Sequence, residues 1–122
     1  MTTQEFKIDT ITIAITNISE MVNFYETVFN CGFTEIEAYG TTLFSGNLAG
    51  IKILLCPNEV ACVNAEKNRH QFDFLVTNLD NVICLAQASN GTLSGDIIKS
   101  ADKKAVTIID PDGNTMNFIQ KI

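Results

Sequence analysis

Apolar and polar residues alternate over residues 10–15, which read Thr-Ile-Thr-Ile-Ala-Ile, and this period of two predicts a strand with one apolar face. Asn17 follows, with Glu20 three residues later, a combination close to the capping box that begins many helices. Apolar residues then recur at helical spacing over residues 18–29, as on the buried side of an amphipathic helix. Gly32 is a typical stop signal. The pattern predicts a strand that leads directly into a helix.

The same strand-to-helix signal occurs twice in the chain. Ile15-Thr16-Asn17-Ile18-Ser19-Glu20 is echoed by Val76-Thr77-Asn78-Leu79-Asp80-Asn81, 61 residues later. A repeat of this period indicates two copies of one supersecondary unit. Neither copy can bury its apolar face alone, so the copies must pack on each other or on a partner chain.

Three strand-like segments separated by turn residues follow each predicted helix, near residues 34–39, 41–45 and 50–56 and near residues 92–98, 105–109 and 115–120. The last two are joined by Asp110-Pro111-Asp112-Gly113, the composition of a type I turn. The order is therefore βαβββ twice, an α+β fold. We expect one domain over residues 1–122, made of a first module, a linker and a second module at residues 5–56, 57–70 and 71–122.

Composition and charge narrow the class of protein. The net charge of −6 disfavours nucleic acid and anionic membranes as partners and favours a neutral or cationic ligand. No apolar run is long enough to cross a bilayer, and the first residues lack the pattern of an export signal, so we expect a cytoplasmic protein. In that compartment the cysteines are expected to be reduced core or loop residues rather than a disulfide framework or a zinc site, namely Cys31, Cys56, Cys62 and Cys84.

Three segments together resemble the vicinal oxygen chelate superfamily, which includes glyoxalase I, fosfomycin and bleomycin resistance proteins, and extradiol dioxygenases. They are the strand 11–15 leading to Phe24-Tyr25, the strand 72–76 running into Asn78-Leu79-Asp80, and the turn Asp110-Pro111-Asp112-Gly113-Asn114. The resemblance implies two tandem βαβββ modules whose curled sheets surround a cup, with helices on the outer face. It also implies a homodimer and, in the enzymes, a divalent metal ion in the cup.

The metal-ligand positions that the resemblance implies are occupied by residues that suit a metal ion poorly. In the superfamily these positions are typically His on the first strands and Glu or Gln on the last strands. Here they fall on Thr10, Leu54, Gln71 and Asn117. None of these supplies an imidazole or a carboxylate, the ligands that repay dehydration of a divalent cation. We expect no metal and no cofactor. A register shift of one residue would bring His70 to a ligand position, but it would also turn Asp73 into the core, so we expect a structural or surface histidine.

Strand alternation predicts which residues line the cup. If Ile11, Ile13 and Ile15 face the helix, the side chains of opposite parity face the cup. The candidate ligand-binding residues are Thr10, Thr12, Lys52, Leu54, Gln71, Asp73, Thr115 and Asn117. Lys52 and Asp73 either pair with each other or with a ligand, or are solvated at a wide mouth, and the sequence leaves both alternatives open.

The preferred hypothesis is a metal-independent protein that binds a small molecule, similar in plan to drug-sequestering bleomycin resistance proteins. No nucleophile with recognisable partners and no phosphate-binding loop is present in the sequence, so no catalytic residue is assigned. Phe44 and Tyr39 are the aromatic candidates for stacking on a ligand. The alternative is a metal-dependent lyase, isomerase or dioxygenase that uses His70, Asp73 or Glu59. A third hypothesis, an interaction module or the ligand domain of a regulator, also stays open.

Overall fold

The computed structural model describes residues 8–61 and 70–122. The elements in the first module are β1 (Thr10–Ile15), α1 (Ile18–Phe29), β2 (Thr34–Ala38), β3 (Thr41–Leu48), β4 (Ile51–Pro57) and the short α2 (Asn58–Ala61). Those in the second are β5 (Asp73–Leu75), α3 (Leu79–Ala88), β6 (Thr92–Leu93), β7 (Ile98–Lys99), β8 (Lys103–Ile109) and β9 (Thr115–Lys121).

Each module contributes one curled sheet. The first sheet has the strand order β1-β4-β3-β2, and the second has the order β5-β9-β8-β6, with β7 also paired to β8. The first strand of each module therefore lies at a sheet edge and pairs in parallel with the last strand of the same module. The α+β arrangement of two tandem βαβββ modules is confirmed.

The strand register reproduces the sequence repeat. Thr12 lies opposite Leu54 in the first sheet, and Asp73 lies opposite Asn117 in the second. These two pairs are equivalent positions, because Asp73 follows Thr12 by the 61-residue repeat. The pairing of first and last strands is thus the same in both copies.

A single hydrophobic core joins the two modules. It includes Ile53 and Leu55 from the first sheet and Val106 and Phe118 from the second. Aromatic rings cross the boundary, since Phe29 of α1 lies 4.9 Å from Phe74 and 5.9 Å from Phe118, measured between ring centroids. The opposite faces of both sheets point away from this shared core. The internal repeat therefore buries its apolar faces mainly within one chain.

The two helices also approach each other closely. Phe24 of α1 is fully buried. One carbon of its ring lies only 2.5 Å from the point where a Cβ atom on residue 91 would be, so only glycine fits there. Gly91 lies three residues after the end of α3, and its N–H group donates to the carbonyl group of Ala86, 2.8 Å away. Any larger residue at Gly91 would have to displace the Phe24 ring or the backbone.

The two predicted helix caps form differently. At α3, the Asn78 side chain accepts a hydrogen bond from the N–H group of Asn81, as an N-cap should. At α1, Asn17 instead donates to the Glu20 carboxylate. Asp112 from the second module accepts from the N–H groups of Thr16 and Asn17, at 2.7 and 3.1 Å. The beginning of α1 is therefore held by a carboxylate of the other module, favourably placed at a helix N-terminus.

The structure departs from the predicted elements in two strands. The strand expected near residues 41–45 continues through Gly46 and Asn47, so that β3 ends at Leu48. The segment expected as one strand near residues 92–98 is divided into β6 and β7, two residues each, which pair with different parts of β8. Gly95 between them has a φ of +87°, a left-handed conformation that interrupts a strand. In the predicted linker, α2 forms one helical turn, while residues 62–69, including Cys62, lie outside the described residues.

Within residues 8–61 and 70–122, no helix is long and apolar enough to cross a membrane.

Strand β9 allows a direct test of which side chains face the core. Met116 and Phe118 are buried, and Asn117 on the opposite face is partly exposed. Replacing Phe118 with Ala should lower the free energy of unfolding by about 3–5 kcal/mol, because it leaves a cavity in the shared core. Asn117→Ala should cost only about 1 kcal/mol, the typical contribution of a partly exposed hydrogen-bonding side chain. Urea unfolding of both variants measures the difference, and the reverse order would show that the faces of β9 are inverted.

Candidate binding site

An apolar crevice lies where β1 and β4 of the first module approach β5 and β9 of the second. Its volume is about 330 Å³, at the lower end of the range typical of small-molecule sites. Its walls are mostly aliphatic and aromatic side chains, namely Ile11, Ile13, Tyr25, Leu48, Ile51, Ile53, Phe72, Phe74 and Met116. Covering such a surface with an apolar ligand removes it from water, which favours binding.

A smaller set of polar side chains borders the same crevice. It consists of Thr12, Lys52, Asn58, His70, Asn114 and Thr115. Lys52 and His70 are exposed to solvent. The mixture of apolar walls with a few polar groups is typical of sites that orient a small molecule.

Tyr25 forms part of the crevice wall and is fixed from behind. Its hydroxyl group donates a hydrogen bond of 2.9 Å to the Asp110 carboxylate, which is buried. Asp110 also accepts from the N–H groups of Asp112 and Asn114 and from the Asn114 side chain, each at 2.9 Å. The carboxylate thus ties the turn of the second module to the helix of the first.

Burial controls the ionisation of this pair. Removal from water raises the pKa of Asp110, although the hydrogen bonds from Asn114, Tyr25 and Asp112 act in the opposite direction. Burial, with the nearby Asp110 carboxylate as the next cause, raises the pKa of Tyr25 well above its ordinary value. Tyr25 therefore stays a hydrogen-bond donor across the physiological range.

Four predicted site residues of the second module form a hydrogen-bonded cluster on the face of the sheet opposite the core. The Gln71 amide donates to the Thr115 hydroxyl group at 2.7 Å. The Asn117 amide donates to Gln71 at 3.0 Å and to the Asp73 carboxylate at 2.9 Å. Thr107, which the sequence analysis did not single out, donates to the Asn117 carbonyl oxygen at 2.6 Å. We call this group the amide cluster.

The predicted residues of the first module are less closely associated. Thr12 and Lys52 border the crevice. Thr10 donates to its neighbour Asp9 at 2.8 Å, and Leu54 lies opposite Thr12 on the partly exposed sheet face. Lys52 and Asp73 are both exposed, as expected if they are solvated. The structure therefore brings together Gln71, Asp73, Thr115 and Asn117. Of the eight predicted site residues, it places only Thr12, Lys52 and Thr115 at the crevice.

The donor atoms of the amide cluster do not suit a divalent metal ion. Asp73 is its one carboxylate, and it already accepts a hydrogen bond from Asn117. The remaining groups are neutral amides and hydroxyls, which compensate poorly for the loss of hydration of a divalent cation. Among the described residues, no three His, Cys, Asp or Glu side chains converge.

Several crevice residues were not predicted from the sequence. Ile11 and Ile13 were expected to face only the helix, and the aromatic rings at the crevice are Tyr25, Phe72 and Phe74. Residues of both parities on β1 reach the crevice because β1 is an edge strand. Of the expected aromatics, Tyr39 is highly exposed, and Phe44 packs against the core, since it lies opposite the buried Leu55.

No protein-family model and no curated protein sequence matches the chain. Solved structures resemble it over nearly its whole length. A glyoxalase/bleomycin resistance protein/dioxygenase family enzyme from Burkholderia phytofirmans PsJN has a TM-score of 0.74 at 18% identity, with 96% of this chain and 100% of that one covered. A glyoxalase-related enzyme from Fulvimarina pelagi has a TM-score of 0.70 at 16% identity, with 93% and 87% covered.

The fosfomycin resistance protein FosX from Listeria monocytogenes also matches. A variant of it in complex with Mn(II) and 1S,2S-dihydroxypropylphosphonic acid has a TM-score of 0.68 at 13% identity, with 95% of this chain and 90% of that one covered. At these identities the similarity is one of fold. The fold that the sequence resemblance implies is therefore confirmed.

The buried carboxylate predicts a pH dependence of stability. Asp110→Asn replaces one acceptor oxygen with an NH₂ group that faces donors, so the free energy of unfolding should fall by about 1–3 kcal/mol at neutral pH. Because the pKa of Asp110 is raised by folding, the folded chain binds the proton more readily than the unfolded chain. This contribution to stability is complete below the ordinary pKa of 3.8 and is lost as the pH rises through the raised value.

Urea unfolding of both proteins at several pH values checks this. The advantage of the unmodified protein over Asp110→Asn should widen on acidification, while other carboxyl groups titrate equally in both. An advantage that narrows as the pH falls would contradict a raised pKa at Asp110.

Proposed function

We propose that this chain, which has the fold of glyoxalase, bleomycin resistance and fosfomycin resistance proteins, binds a small and largely apolar molecule without a metal ion. The observation that carries the proposal is the crevice of about 330 Å³ between the modules, with its aliphatic and aromatic walls. Binding without chemistry would serve to sequester a compound.

The hydrogen bonding of the amide cluster supports the crevice as the main binding surface. Both N–H bonds of the Asn117 side chain are already used, by Gln71 and Asp73, and its carbonyl oxygen accepts from Thr107. A ligand would have to break these bonds to gain new ones, so its net gain there would be small. Apolar walls lose no such bonds when a ligand covers them.

The metal-dependent alternative draws its ligands from His70, Asp73 or Glu59. His70 lines the crevice, whereas Asp73 lies on the opposite face of its strand from Phe72 and Phe74, within the amide cluster. His70 and Asp73 therefore do not face one common site, which supports a metal-independent crevice.

The proposal is tested with 3-phenylpropan-1-ol, a neutral probe with an aromatic body, on protein treated with a chelator. Chelation should leave the melting temperature unchanged, and the probe should bind, as measured by calorimetry or NMR titration. Phe72→Ala should weaken binding about tenfold, since it removes an aromatic wall worth about 1.5 kcal/mol of apolar burial. Because Phe72 is half-exposed, its loss should lower the melting temperature only slightly.

Tyr39→Ala is the matched control, since Tyr39 is an exposed aromatic residue outside the crevice, and it should not change affinity. Binding that appears only after Mn²⁺ is added back would overturn the metal-independent function. A fall in melting temperature of several degrees on chelation would do the same, because loss of a saturating metal removes about 2.7 kcal/mol or more.

We also infer a homodimer, as the fold resemblance implies. A row of apolar side chains crosses the second sheet in register, on the face opposite the core, made of Leu75, Ile119, Ala105 and Ile98. Leu75 and Ile98 are 67% and 74% exposed in the single chain, which is unfavourable in water. A second copy that covers this row would remove the cost.

Light scattering at micromolar concentration should give about twice 13.4 kDa. Ile98→Lys should shift the protein toward the monomer, because it places a charge in the apolar row. Tyr39→Lys, an exposed position outside the row, should leave the dimer intact. A clean monomer for the unmodified protein would contradict the inference.

A further inference from the structure

Among the described residues that line the crevice, Lys52 carries the fixed charge. Lys52 lies in the crevice wall, in register between Thr10 of β1 and Asn47 of β3, and is exposed to solvent. Its neighbours on the crevice surface include His70 and the Asn58 amide. Among the described residues no carboxylate lines the crevice. A ligand in contact with these groups meets a fixed positive charge.

This local charge differs in sign from the net charge of −6. The net charge favours a cation only at long range, and salt at physiological concentration screens exposed charges beyond about 8 Å. A charged group of a ligand at the crevice mouth lies well within this distance of Lys52, so the pair is less screened than interactions with the remaining surface charges. The contact with Lys52 should therefore determine the preferred ligand charge.

We infer that the ligand is an amphipathic anion, with an apolar body against Phe72 and Phe74 and an anionic group beside Lys52. This inference rests on the proposed function. The Lys52 ammonium group supplies three donors and no acceptor, so it pairs with a carboxylate but not with a protonated amine. The apolar walls exclude water from the rest of the ligand, so the charged group must lie at the mouth, where Lys52 is exposed.

Three probes of equal shape test the charge preference at neutral pH in chelator-treated protein: 3-phenylpropanoate, 3-phenylpropan-1-ol and 3-phenylpropan-1-amine. The acid should bind about tenfold more tightly than the alcohol, and the amine more weakly than either. Raising the salt concentration should reduce the advantage of the acid. In Lys52→Gln the acid and the alcohol should differ by less than about twofold. In Lys52→Glu the order of acid and amine should reverse.

Lys99→Gln is the control, since Lys99 is an exposed lysine on β7, outside the crevice, and it should keep the preference for the acid. Lys52 is itself exposed, and melting curves verify that its variants are folded. Equal affinities for all three probes, or tightest binding of the amine, would overturn the inference while leaving the proposed function intact. If no probe binds, the proposed function fails and the preference for an anion fails with it.

Discussion

The buried hydrogen bond between the Tyr25 hydroxyl group and the Asp110 carboxylate holds the two modules in one arrangement. Asp110 accepts its other hydrogen bonds from its own turn, so the turn fixes the carboxylate that the helix contacts. Two residues further on, Asp112 binds the backbone at the beginning of α1. The turn between β8 and β9 is therefore an inter-module contact as well as a connection between strands.

The crevice is a consequence of this contact. The Tyr25 ring forms one wall, and stacking on Phe29 at 5.5 Å continues the aromatic packing toward Phe74. With α1 held against the second module, β1 and β5 remain sheet edges within the chain, and the space between them is lined by apolar side chains. The contact that packs the two modules against each other thus also leaves a cavity between them.

Much of the fold could be predicted because the repeat and the strand alternation are local signals. Asn78 caps α3 as its position indicated, and the alternation of Met116, Asn117 and Phe118 gave the correct buried face. The 61-residue offset of the repeat also relates Thr12 to Asp73, which lie opposite the last strand of their own sheets. These features depend on residues that are close in sequence or on the 61-residue offset between the two copies.

The candidate site was harder to predict, because it depends on contacts between the copies. Asp112, rather than Asn17, accepts hydrogen bonds from the backbone at the beginning of α1. This contact could not be predicted from either copy alone, because it joins the two copies. The position of β1 at a sheet edge, which exposes Ile11 and Ile13 to the crevice, depends on strand order. The sequence did locate the amide cluster, through Gln71 and Asn117, but not the internal hydrogen bonds that occupy it.

The central claim is that the crevice binds an apolar molecule without a metal ion, and methyl NMR tests it most directly. Chelator-treated protein labelled at Ile and Met methyl groups would be titrated with 3-phenylpropanoate. The account predicts saturable shifts at Ile11, Ile51 and Met116, which line the crevice, with Ile98 on the opposite sheet face unchanged. Shifts confined to Ile98 and Ile119, or shifts that require added Mn²⁺, would contradict it.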